Sequence, residues 1–169
     1  MKIKSFMLTT MAAVALVFGV SSCSSSSNDD QPEVPLATQV VGSYTGTEIV
    51  LVNAEESSNE TKTYQFTKVT DVSVDMVIPE VGMGMMTIPS IPVKNIPLTK
   101  NGNSITGKLD MYPPLGQDIT VKNAQGEEKK FNIKDLTFIL SDKTIAVTFS
   151  LKYGNMPMWM DFQFTGSKK

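Results

Sequence analysis

The chain has 169 residues, a formal charge of −2 and 41% hydrophobic residues, which bounds it to one domain with a real core and little more. It contains no histidine, no arginine and a single cysteine, so the common zinc, copper(II) and haem sites, the usual neutral-pH general base and two-pronged clamping of carboxylate or phosphate are all excluded. With no basic tract, the sequence carries no electrostatic footprint for nucleic acid.

Residues 1–22 read as a secretory leader: Lys2 and Lys4, an apolar run from Met11 to Val20, then Ser21 and Ser22 before Cys23. The run is shorter than the ~20 apolar residues of a comfortable membrane span. Without the two leader lysines the formal charge becomes −2 − 2 = −4. Val20-Ser21-Ser22-Cys23 resembles a bacterial lipobox. That resemblance implies diacylglycerol on the Cys23 sulfur, cleavage before it, and a membrane held as partner through two or three chains, each buried CH₂ adding ~0.8 kcal/mol. Residues 23–39 are expected to be a flexible tether, Ser-rich with Asp29 and Asp30. Its paired acids resemble the export signal of Bacteroidetes-type surface lipoproteins; a plain acidic spacer is the alternative.

From Val40 the pattern has period two, which predicts a domain of strands over residues 40–169. Val41–Val52 is the first strand, Asn53–Glu60 a polar loop, and Thr61–Val69 the second strand. Val72, Val74, Met76 and Ile78 alternate until Pro79, which cannot donate to a ladder. The stretch Glu80–Pro92, with Gly82, Gly84, Pro89, Pro92 and Met83, Met85 and Met86, falls outside the expected strands, Met83–Met86 reading as a loop. Val93–Thr99, the turn Asn101–Asn103 and Ser104–Met111 follow. Asp118–Lys122 and Glu127–Leu140 read as a hairpin around Asn123–Gly126. A shift of apolar phase between Ile133 and Leu136 predicts a bulge near Lys134-Asp135. Ile145, Val147, Phe149, Leu151 and Tyr153 share one face. So do Met156, Met158, Met160, Phe162 and Phe164 on the expected last strand. Eight to ten short strands with tight connections suit a small barrel or sandwich.

Four stretches, in order, resemble the calycin-like β-barrel domains of Bacteroidetes lipoproteins: Val41–Thr47, Ile91–Leu98, Ser104–Gly107 and Asp161–Lys168. The resemblance implies an all-β fold, an antiparallel eight-stranded lipocalin-like barrel, with no shared catalytic residues. True lipocalins open with Gly-x-Trp beneath an arginine; here Gly42-Ser43-Tyr44 stands in that place, and no arginine exists.

The expected barrel lining is Tyr64, Phe66, Met76, Phe149, Tyr153, Met158, Met160 and Phe162. A flexible apolar lining of that kind suits a small hydrophobic or amphipathic ligand, and equally a filled core. Trp159 is expected to face outward beside Asp161 and Gln163. With Met83, Met85 and Met86 it makes a candidate surface or lid contact. Thioethers suit Cu(I), but without His or Cys beside them the methionines are expected to pack, and no metal or cofactor is expected. Carboxylates such as Glu48, Asp75 and Asp118 are expected on solvated faces, so catalysis is not expected. The leading expectation is a tethered, non-enzymatic lipoprotein of the outer membrane that binds an apolar ligand. The alternative is a structural or interaction subunit that meets an outer-membrane protein partner through a packed barrel's exterior.

Overall fold

The structure, a computed structural model, describes residues 33–83, 86–109, 117–123 and 125–169, with backbone alone at 83, 86 and 117. The leader, Cys23, Met85 and Met111 lie outside the described residues.

One short helix, α1 (Leu36–Val40), precedes the strands β1 (Gly42–Val52), β2 (Glu55–Thr70), β3 (Ser73–Ile78), β4 (Val81–Met83), β5 (Met86–Ile88), β6 (Ile91–Asn101), β7 (Ser104–Leu109), β8 (Gln117–Lys122), β9 (Glu128–Ser141), β10 (Thr144–Tyr153) and β11 (Met160–Lys168). The main sheet runs β10-β11-β1-β2-β3-β6-β7-β9, and pairing of β9 back onto β10 closes it. All neighbours are antiparallel. The result is the eight-stranded barrel that the period-two pattern and the resemblance imply. β7 pairs with the second half of β9, from Leu136 onward. β8 takes its place beside the first half, Glu128–Ile133, as a ninth strand.

Closure follows from alternation. Along β10 and β11 every second residue is buried: Ile145, Val147, Phe149 and Leu151, then Met160, Phe162 and Phe164. The expected β9 bulge is present. Asp135 has φ 56°, and the β9–β10 register slips opposite Phe149, between Thr148 and Ser150.

The structure corrects four expectations. Asn53–Glu60 is not a loop: Asn53 and Ala54 alone turn the chain, both at positive φ (52° and 65°), and β2 begins at Glu55. The expected tether does not run to residue 39, because the folded unit begins at Glu33. α1 buries Ala37 and Val40, and Ala37 N donates to Asp71 O at the β2–β3 turn. Glu80–Pro92 holds the β4–β5 hairpin, whose base residues Val81 and Ile88 are buried. Finally, β11 starts at Met160. Met158 therefore lies on the turn before the strand, exposed like Met156, and lines nothing inside. Pro157, which cannot donate to a ladder, stands between them.

α1 and the β4–β5 hairpin lie at opposite ends of β3, one beside its first residue and the other beyond its last. Both barrel ends therefore carry apolar cover. Lys168 Nζ donates to Gln39 O, which puts the end of β11 at the α1 end. Trp159 and the β10–β11 turn are thus at the hairpin end.

Candidate functional site

Inside the barrel, the expected lining residues Tyr64, Phe66, Met76, Phe149, Met160 and Phe162 are all buried, and Tyr153 is half-buried at the rim. Among the described residues they pack against one another rather than around an empty channel. β2 and β9 are diametrically opposite in the closed order, yet the rings of Phe66 and Phe138 meet with centroids 5.0 Å apart. Tyr44 packs edge-on against Phe66 at 5.5 Å. Tyr64 stacks on Phe164 at 4.3 Å, and Phe149 on Phe162 at 4.7 Å. Glycines make room for the rings: a Cβ on Gly107 would stand 2.2 Å from Phe138, and one on Gly166 would stand 2.4 Å from Phe164. Among the described residues the main clefts have neither Tyr64, Phe66, Met76 nor Phe164 in their walls; Phe149 and Phe162 border one cleft of about 220 Å³ with Asp135, Ser150 and Asp161, and Tyr153 borders another at the rim.

One polar pair interrupts this interior. Glu48, expected on a solvated face, is fully buried. It shares inward parity with Tyr44 and Val50, a signal readable in the sequence. Tyr64 Oη donates to its Oε2 at 2.5 Å, and its Oε1 has no partner among the described residues. Burial pushes the carboxyl above its ordinary range, against the Tyr64 bond and the nearby Lys62 charge. Burial together with the Glu48 charge pushes the Tyr64 phenol well up in turn. Glu60, opposite Glu48 on β2, is engaged by Lys62 at 2.7 Å.

Outside, register builds rows that the sequence order hides. On the outer face Asp118 of β8, Asn132 of β9 and Lys152 of β10 lie side by side. Lys130 is two residues before Asn132 on the same face, and Lys134 two after. Trp159 is half-buried rather than freely exposed. Its ring carries the Lys134 ammonium 4.3 Å and the Lys152 ammonium 5.2 Å from its centre, contacts worth about 0.5–1 kcal/mol each at exposed sites. Met156 and Met158, both exposed, precede it in the β10–β11 turn. Met83 and Met86 sit on the β4–β5 hairpin at the same end of the barrel. Among the described residues no cluster of three or more His, Cys, Asp or Glu side chains could hold a metal ion, and no helix is long and apolar enough to cross a membrane.

A closed eight-stranded antiparallel barrel, with a short helix at one end and a hairpin at the other, is of the lipocalin-like class. The sequence profile of the calycin-like β-barrel domain matches residues 40–167, and the chain belongs to that family. A crystal structure of a Bacteroides fragilis protein, provisionally described as an outer membrane protein, is similar with a TM-score of 0.62 at 17% identity. That likeness covers 80% of this chain and 53% of the other, so the chain spans about half the length of that protein. No curated protein matches the sequence significantly.

Proposed function

We propose that this is a non-enzymatic recognition lipoprotein of the outer membrane, held by lipid on Cys23, whose barrel is a solid scaffold and whose recognising surface is its outer rim around Trp159. The carrying observation is the Phe66–Phe138 contact across the full width of the barrel. A carrier for an apolar molecule needs space where those rings stand. An interaction module needs only a rigid wall with side chains fixed on its outside, and Trp159, clamped under two lysines, is fixed in that way. The provisional outer-membrane description of the similar Bacteroides protein supports the location, and the leader and Cys23 support the anchor.

Native mass spectrometry of the full chain, purified from its own envelope, tests this reading. The expected result is the lipidated chain with no stoichiometric apolar passenger. A defined apolar molecule that leaves only when the barrel unfolds would overturn it.

A further inference from the structure

The rim carries a built cleft. It has a volume of about 330 Å³ and is walled, among the described residues, by Asp118, Lys130, Phe131, Asn132, Lys152 and the turn at Gly154-Asn155. That volume falls within the range of small-molecule sites. The floor is organised. Asn132, only 8% exposed, donates its Nδ2 to Asp118 Oδ1 at 2.7 Å, while its own Oδ1 has no partner among the described residues. A surface carboxylate needs no such holder for folding, and a half-satisfied buried amide is a cost to the fold. Gly154 N donates to Lys130 O at 2.8 Å, fixing the turn against β9. Lys152 is held over the Trp159 ring, and neither it nor Lys130 forms an ion pair with a carboxylate among the described residues.

We propose that this cleft between β8, β9 and β10 binds a small ligand carrying one anionic group beside several hydroxyls, the chemistry of a sugar acid. The inference rests on the rim being the recognising surface. Two ammonium groups against one carboxylate leave one net positive charge, which calls for one anionic group. Asp118 accepts only, and after the Asn132 bond it still has acceptor capacity that calls for hydroxyl donors. A bare inorganic anion would meet the lysines but face Asp118 without a proton to give. A neutral sugar would satisfy Asp118 and leave the cations uncompensated. An apolar ligand would desolvate all three charges without pairing any.

The test is calorimetric titration of the full chain in detergent with sodium D-glucuronate, D-glucose and sodium acetate, with emission from Trp159, the chain's one tryptophan, as the local reporter. Saturable binding of glucuronate, at least about tenfold tighter than glucose or acetate, is expected, with a change in Trp159 emission. Lys130→Met and Asp118→Asn, which leave the indole's own contacts alone, should each weaken it by about tenfold or more with unchanged far-ultraviolet circular dichroism. Absence of saturable glucuronate binding overturns the proposal. So does equal binding of acetate, which would reveal general anion attraction, or of glucose, or full binding by both variants. Failure here with an empty, ligand-free barrel by mass spectrometry would sink the cleft and leave the solid-scaffold reading standing.

Discussion

Gly107→Ala is the sharpest probe of whether the barrel is solid. A Cβ at residue 107 would lie 2.2 Å from a ring carbon of Phe138, about 1.3 Å inside an ordinary carbon–carbon contact of ~3.5 Å. Phe138 cannot yield inward, because Phe66 from the opposite wall stands against it with ring centres 5.0 Å apart. Overpacking of this kind costs about 1–3 kcal/mol. Gly107 has no positive φ among the glycines that do, so alanine's backbone fits the strand and recovers about 0.5–1 kcal/mol of glycine's conformational entropy. The sign therefore depends on the ring. In the natural background Gly107→Ala should destabilise by about 1–2 kcal/mol net. In a Phe138→Leu background, itself weakened, the same change should be neutral or stabilising by about 0.5 kcal/mol. Urea unfolding, followed by circular dichroism with linear extrapolation, reads all four corners of the cycle. If Gly107→Ala stabilises the unaltered chain, the Phe138 ring has room to swing into the lumen, and the solid-scaffold argument fails.

Other expectations follow from the same geometry. Glu48 is raised in the folded state, so its contribution is fully favourable below the ordinary carboxylate range and is lost as pH rises through the raised value. Glu48→Gln keeps an acceptor for Tyr64 and should gain on the natural chain by about 1 kcal/mol at pH 7, the gap closing toward pH 4. A constant gap across that window would refute the burial argument. Asp75 behaves oppositely: partial burial pushes it up, but bonds from Lys94 Nζ and Asn95 N, with the Lys94 charge, outweigh that and hold it below its usual range. Its stabilisation is present at neutral pH and lost as pH falls, so Asp75→Asn should cost stability at pH 7 and flatten the acid limb of a pH–stability curve. Cys23→Ser should leave the chain in the soluble fraction after cell lysis; unchanged membrane association would remove the lipid anchor from the account.

The parts of the fold that sequence made legible are those whose signal is local and repeats. β10 and the Met160–Phe164 half of β11 alternate strictly, and the phase slip between Ile133 and Leu136 marked the bulge at Asp135. What escaped lacked such a signal. The β1–β2 turn uses Asn53-Ala54 where a glycine is the usual mark. The first half of β2 is polar because it lies at the rim, with Glu55–Ser57 and Asn59–Thr61 exposed. α1, five residues long, is shorter than any amphipathic period can declare. Met156 and Met158 continue the alternation of β11 before its first residue, so pattern alone extended the strand past Pro157.

The candidate site was hidden for a different reason: it is a product of register. The lining residues could be named from parity because each needs only its own strand. Asp118, Asn132 and Lys152 become neighbours only when β8 and β10 both pair with β9 at particular offsets, and a slip of one residue would turn each to the other face. The register is held by the interior, since Phe131 and Ile133, which flank Asn132, and Leu151 and Tyr153, which flank Lys152, point inward, with three of the four buried and Tyr153 half-buried. The apolar packing that occupies the lumen is thus also what aligns the charged row outside. A barrel of this size that gives up its cavity gains a wall stiff enough to hold an acid, an amide and a lysine in fixed order, which is what the proposed recognition at the rim requires.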